Sequence, residues 1–298
     1  MSAKIQLIPA QNIDAQLWDQ CVHQNHAPIY LQYSYLNTMS LNWIGLVLGN
    51  YAGIMPICYK QKWGIRYSYT PAFIQQLGWV GEKIDFKILE STIYEFVRYG
   101  DVMLNHENDF KLQNITSKTN LIIHLNQSYD NISSYYSNDL IQNLKKASKE
   151  NLKYLSSNEI TQAIHLYKKL YSNRLSKTTQ IDYDNFLNLC LHLNENGNCF
   201  VRKVVNTENE LLSIALLLKD DCRIYNIANA TTDLGRKTAA NHFLIDQILK
   251  EFSTTDLIFD FEGSDLPGVK SFYENFAPIH QPYYHWHFNK LWFLPNRN

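Results

Sequence analysis

The apolar pattern of this chain runs through one series of elements twice. In the first half, residues 43–50, 51–60 and 64–70 read as strands. Residues 85–98 put Phe86, Leu89, Ile93, Phe96 and Val97 on one helical face, and 102–107 return to a strand. In the second half the strands are 199–205, 211–219 and 222–230, the helix is 239–252 and the closing strand is 257–262. The middle strand begins at Tyr51 and again at Leu211, the last at Val102 and again at Leu257, so the spacing is nearly constant. A shared order at constant spacing predicts two similar domains, and a groove between domains is a common place for substrate. The polar stretch 126–137 is the expected crossing, which gives domains 1–130 and 131–298.

The remaining elements fit that plan. Residues 4–8 read as a strand and 14–24 as a helix, with Asp14 as a cap and Leu17, Trp18, Cys21 and Val22 on one face. Residues 33–39 form a second short helix. Ser137 or Asn138 caps a helix with Leu140, Ile141 and Leu144 inward and Lys145, Lys146 and Lys149 outward, with Lys153 beyond. Helices 159–171 and 183–194 follow, the second stopping before Gly197. The aromatic tail 279–293 alternates and completes a sheet. The fold class is α/β: a mixed, largely antiparallel sheet flanked by helices, in two domains in tandem. The loop 71–80, with Phe73, Gln75, Gln76 and Trp79, is expected to cap a core, a ligand loop being the alternative.

Charge and cysteine usage narrow the partners. The formal net charge is −1, which provides no overall field for a polyanion, so tRNA is possible but not favoured. The five cysteines are scattered and lack CxxC spacing, so free thiols in a reducing, cytoplasmic setting are expected. The most apolar run, 43–58, is broken by Asn50 and three glycines and predicts two strands and not a membrane span. His285 and His287 share a strand face without an acidic or cysteine partner nearby in sequence; aromatic stacking is expected and no metal.

Two stretches carry candidate chemistry. The turn from Thr231 to Ala240 presents Gly235, Arg236, Lys237 and Thr238 before the helix that starts near Ala239 and Ala240. Two cations, a hydroxyl and small residues at a helix N-terminus suit a pyrophosphate or other anion. A solvated turn capped by Thr238 is the plain alternative. The second stretch is Asp260-Phe261-Glu262-Gly263-Ser264. Asp260 and Glu262 stand two apart in a strand, so both are expected on one face, where either can serve as general base. A structural hydrogen-bonding role is the alternative. Asp265 then reads as a cap before Pro267, and Tyr273 on the following helix is either a proton donor or a core tyrosine.

These pieces resemble the GNAT acyltransferase fold in the doubled form of FemAB-like proteins, best over residues 135–295. The turn Gly235–Ala240 falls where that family binds the pyrophosphate of coenzyme A, with Thr232 and Lys237 in place of two residues of its R/Q-x-x-G-x-G/A pattern. The segment Ser271-Phe272-Tyr273-Glu274-Asn275-Phe276 looks like the family's segment whose tyrosine often acts as general acid. The stretches Asn143-Leu144-Lys145-Lys146-Ala147 and Phe259-Asp260-Phe261-Glu262-Gly263-Ser264 look like FemAB-like sequences. The resemblance implies an acyltransferase that moves an acyl or aminoacyl group from acyl-CoA, such as acetyl-CoA, to an amine of a small-molecule or peptidoglycan-like acceptor. It equally admits an aminoacyl-tRNA-dependent transferase, or a non-catalytic binding protein that kept the fold.

Overall fold

Each half folds about an antiparallel meander that continues, through a helix, into a parallel strand. The structure is a computed structural model and describes residues 4–110, 114–172, 178–263 and 265–291, with Pro267 described by its backbone. Ser264, part of the second candidate stretch, lies outside the described residues.

The first unit takes the chain up to Lys118 and again from Pro282. Strand β1 (Ile5–Pro9) leads into α1 (Ala15–Gln24) and α2 (Tyr33–Met39). Asp14 caps α1 by accepting from the N–H groups of Gln16 and Leu17, and the face bearing Trp18, Cys21 and Val22 is buried. The meander is β2 (Trp43–Leu48), β3 (Gly53–Lys62) and β4 (Ile65–Ser68), with the short β5 (Val80–Gly81) on β3. Helix α3 (Phe86–Phe96), capped by Asp85, then leads to β6 (Tyr99–Leu104), parallel to β4. Strand β7 (Ile115–Lys118) closes the first stretch. The loop before β5 caps the core: Trp79 is buried, its indole N–H donates to the Glu82 carbonyl, and Asn108 bonds its backbone on both sides.

The second unit is Thr119–Gln281. It begins with β8 (Leu121–His124), α4 (Tyr129–Ser134), α5 (Asn138–Ala147) and β9 (Lys153–Ser157). Helices α6 (Ile160–Tyr171) and α7 (Gln180–Glu195) precede the second meander, β10 (Cys199–Val205), β11 (Leu211–Lys219) and β12 (Arg223–Thr231). Then come α8 (Asp233–Lys237), α9 (Ala240–Phe252), β13 (Ile258–Asp260), α10 (Pro267–Glu274) and β14 (Ile279–His280). Strand β11 is buried along nearly its whole length, as a central strand covered on both faces must be. Leu244, Ile245, Ile248 and Leu249 of α9 form one core with Leu212, Ala215 and Leu217 of β11 and with Leu140 of α5. Helices α6 and α7 pack on the same strands outside that core.

The last strand, β15 (Tyr283–Asn289), explains why the observed units differ from the expected division at 130. The sheets run β1-β2-β3-β4-β6-β15-β7 and β9-β10-β11-β12-β13-β8-β14. Position for position the two orders correspond, except that β15 fills in the first sheet the place that β8 fills in the second. Thus Leu121–His124, expected in the first half, pairs with β13, and the C-terminal tail pairs with β6 and β7. Strand pairing over such separations leaves no local trace in the sequence. On the first sheet Asp101 of β6 accepts from His285 Nε2 at 2.8 Å and His287 Nδ1 at 2.9 Å, and those bonds hold its carboxyl below the usual range. His287 also stacks edge-on against Tyr99.

Candidate active site

The second unit contains a cavity of about 440 Å³ where β12 and β13 part. The two strands pair only from Arg223 to Tyr225 against Ile258 to Asp260. Beyond that point β12 bulges: Leu216 faces Ala228 and Leu218 faces Tyr225, so β12 carries one extra residue. The bulge turns Asn226, Ile227, Asn229 and Thr231 into the opening. On the opposite side β13 ends and the chain turns through Glu262, at φ 59°, and Gly263, at φ 34°. A Cβ on Gly263 would lie 2.0 Å from the Thr119 carbonyl oxygen, so only glycine passes there. A left-handed glutamate is a strained conformation, of the kind concentrated at functional sites.

Aromatic rings build the walls. Tyr167 and Tyr171, one helical turn apart on α6, meet edge-to-face at 5.4 Å, and Phe272 and Tyr273 come from α10. Tyr273 packs at 4.7 Å on Phe261, and its hydroxyl receives a 3.5 Å hydrogen bond from Asn226 Nδ2. Burial, then the neighbouring tyrosine and Glu262 charges, push the Tyr273 hydroxyl well above its ordinary value, so it keeps its proton at neutral pH. Burial likewise lifts Tyr167 to about 12. His242, at the start of α9, is held neutral: burial lowers it to about 4. Two buried amide atoms, Asn226 Oδ1 and Asn229 Nδ2, have no partner among the described residues.

The expected turn from Thr231 to Ala240 is itself a short helix. Thr232 caps α8 by accepting from Gly235 N–H, and Gly235 lies so close to β11 that a Cβ would meet Leu212 O at 2.1 Å. Ala239 then takes φ 55° and starts α9, which no side chain caps. The start of α9, the positive end of its helix dipole, borders the cavity through Ala239, Asn241 and His242. Of the six residues expected here, Gly235, Arg236 and Ala239 line the cavity, whereas Lys237, Thr238 and Ala240 do not. Arg236 is exposed and pairs with Asp233 at 2.8 Å. The Thr238 hydroxyl donates back to the Leu234 and Gly235 carbonyls and is spent within α8.

The carboxylates also separate. Strand β13 ends at Asp260, so the two-residue repeat does not reach Glu262, and the expected shared face is not formed. Glu262 lines the cavity with Tyr273. Asp260 is fully buried behind it, ion-paired to Arg223 Nη1 and bonded by Asn120 Nδ2 at 3.1 Å; its Oδ1 accepts the Glu262 N–H at 2.8 Å. Asp265 accepts from Thr119 N–H instead of capping α10, whose N-cap is Leu266. Lys145, Lys146, Lys149 and Lys153 lie on the exposed side of α5 and its continuation, away from the cavity. Tyr167 and Tyr171 read in the sequence as the buried face of helix 159–171, and Asn226, Asn229 and His242 carried no expectation. Two asparagines among the mostly apolar residues 224–230 of a central strand were the available signal, because buried polar residues are the informative exceptions.

Among the described residues no group of three or more His, Cys, Asp or Glu side chains is arranged to hold a metal, and no helix is long and apolar enough to cross a membrane. The four cysteines 21, 58, 190 and 199 are buried free thiols and Cys222 is a half-buried one.

Strand order, bulge and helix crossover define a mixed, largely antiparallel α/β fold in which one sheet plan occurs twice. The crystal structure of FemX is similar over 96% of this chain and 98% of its own, with TM-score 0.65 and 12% identity. The C-terminal domain of a putative lysylphosphatidylglycerol synthetase from Agrobacterium fabrum and L-PGS from Bacillus licheniformis each match at TM-score 0.54. Their identities are 11% and 10%, over 93% of this chain and 92% of theirs. At such identities the likeness carries the fold. No family model and no curated protein matches the sequence.

Proposed function

We propose that the second unit transfers an acyl or aminoacyl group to a primary amine. The observation that carries this reading is the convergence in one cavity of Glu262, Tyr273 and the uncapped start of α9 with Arg236. Such a transfer has three requirements: removal of a proton from the attacking amine, charge stabilisation around the carbonyl, and a proton for the leaving group. Glu262 takes the amine proton. Tyr273, which retains its own, gives it to the leaving thiolate or alkoxide. Arg236 and the amides of α9 hold the donor's phosphates. Asp260 acts through Glu262, fixing its backbone, and is a positioning residue.

Acyl-CoA is the donor that fits best. Its pyrophosphate suits the α9 amides and Arg236, and its amide-rich arm suits the unpartnered Asn226 Oδ1 and Asn229 Nδ2. When bound it supplies a thioester as the activated acyl carbon. The acceptor is an amine on a small or peptidoglycan-like molecule, and the free thiols fit a cytoplasmic setting. Aminoacyl-tRNA is the alternative donor, for which the exposed lysines of α5 offer a phosphate surface. The commitment of Arg236 to Asp233 and the outward place of Lys237 favour a second reading, a binding protein that kept the fold without turnover.

Calorimetry with acetyl-CoA beside a mobility shift with aminoacyl-tRNA tests the assignment. Binding of acetyl-CoA that weakens about tenfold in Arg236→Ala, with turnover lost in Glu262→Gln, supports acyl-CoA transfer. A tRNA shift without a coenzyme signal moves the donor assignment. The absence of both, with stabilisation by sugars or peptides alone, overturns the transferase reading.

A further inference from the structure

We propose that the tip of the β3–β4 hairpin docks on an anionic lipid surface. This inference is independent of the transferase reading and concerns the first unit alone. Lys62 pairs with Ile65 across a two-residue turn, Trp63–Gly64, in which both residues have positive φ, 51° and 78°. That turn favours asparagine or glycine. A tryptophan there is out of place for the backbone, and it is not packed: Trp63 is 88% exposed, with only the Lys62 ammonium over its ring at 4.6 Å.

The root of the hairpin is held firmly. Tyr59 meets Phe96 of α3 edge-on at 4.9 Å, and the Arg66 guanidinium stacks over the same ring at 4.2 Å. The tip is therefore a fixed point carrying one indole and the Lys62 ammonium, with Lys60, over Tyr69 at 4.5 Å, and Arg66 nearer the root. Among the described residues none of the three forms an ion pair. No acidic residue occurs between Asp19 and Glu82 in the sequence, so nothing local offsets their charge.

An indole seeks the boundary between water and hydrocarbon, and lysines beside it meet lipid phosphates. Each cation near an anionic membrane adds about fivefold in affinity. A single-stranded nucleic acid would instead ask for a groove that tracks its backbone and for successive stacking rings. One ring on a point suits a plane.

The test is co-sedimentation of the full chain with vesicles of phosphatidylcholine, alone or with a third of phosphatidylglycerol. Binding is expected to the mixed vesicles only, and to fall steeply with added salt. Lys60→Gln with Lys62→Gln weakens it roughly twentyfold. Trp63→Asn suits the turn, so its thermal midpoint equals or exceeds that of the parent, yet its vesicle binding falls at least tenfold. Four results overturn the proposal: no vesicle binding, equal binding to both compositions, a Trp63→Asn variant that binds like the parent, or a tip whose variants lose affinity for a short RNA and none for vesicles.

Discussion

Replacing Asp260 with alanine separates a strut from a catalytic group. The side chain is fully buried and serves three donors: the Arg223 guanidinium, Asn120 Nδ2 at 3.1 Å and the backbone N–H of Glu262 at 2.8 Å. Asp260→Ala leaves the buried Arg223 guanidinium with its 3.0 Å hydrogen bond to Gln281 Oε1 and without its counter-charge. Breaking a buried pair by removing one partner costs about 3–5 kcal/mol, the lost hydrogen bonds included. For a unit of this size that lowers the unfolding midpoint by roughly 6–20 °C. Thermal and urea unfolding followed by circular dichroism measure it. The double variant Asp260→Leu with Arg223→Met exchanges the pair for apolar volume and should recover most of the loss. Its turnover should stay low, because the Glu262 backbone has lost its acceptor. Glu262→Gln should leave the midpoint alone while abolishing turnover. An Asp260→Ala protein as stable as the parent would refute the strut and return Asp260 to the candidate bases.

Further outcomes follow from the same cavity. Tyr273→Phe should lower kcat by about 10²–10⁴ with little change in stability, since the hydroxyl makes only the 3.5 Å contact with Asn226; steady-state kinetics beside a melting curve check both. His242 is neutral in the fold down to about pH 4 but titrates near 6.5 when unfolded, so the unfolded chain binds more protons between those values. Stability should therefore be full above pH 6.5 and decline as pH falls towards 4, and melting midpoints of His242→Phe should lose that slope. Gly235→Ala would press a Cβ to 2.1 Å from Leu212 O; a cost of about 1–3 kcal/mol and weaker donor binding are expected from denaturation and calorimetry. An alanine tolerated without loss would mean that α8 rides freely on β11.

The regions legible in the sequence are those whose information is local. Short apolar runs marked the meander strands, Asp14 marked a helix start, the helical face of 85–98 marked α3, and the repeat of strand, helix and strand foretold two sheets of one plan. The division at 130 was illegible because β8 and β15 join sheets through pairing partners far along the chain: Asp260 with Ile122, and Trp286 with Val102. The site failed in the same way but at shorter range. The two-residue rule linked Asp260 to Glu262, and it holds only while a strand continues. Here the strand stops at Asp260 and the backbone goes left-handed.

That break organises the proposed chemistry. A continuous strand would have set two carboxylates side by side, each opposing ionisation of the other. The left-handed step sends one inward to Arg223 and the other to the cavity, so a single carboxylate faces the proton-retaining Tyr273. The strain of that step is offset by the Asp260 hydrogen bond to the Glu262 amide and by the glycine that follows. Bulge, broken strand and uncapped helix are each a departure from regular structure, and all three open on the same 440 Å³ cavity. Regular patterning predicts the scaffold; its interruptions, read together, mark the candidate site.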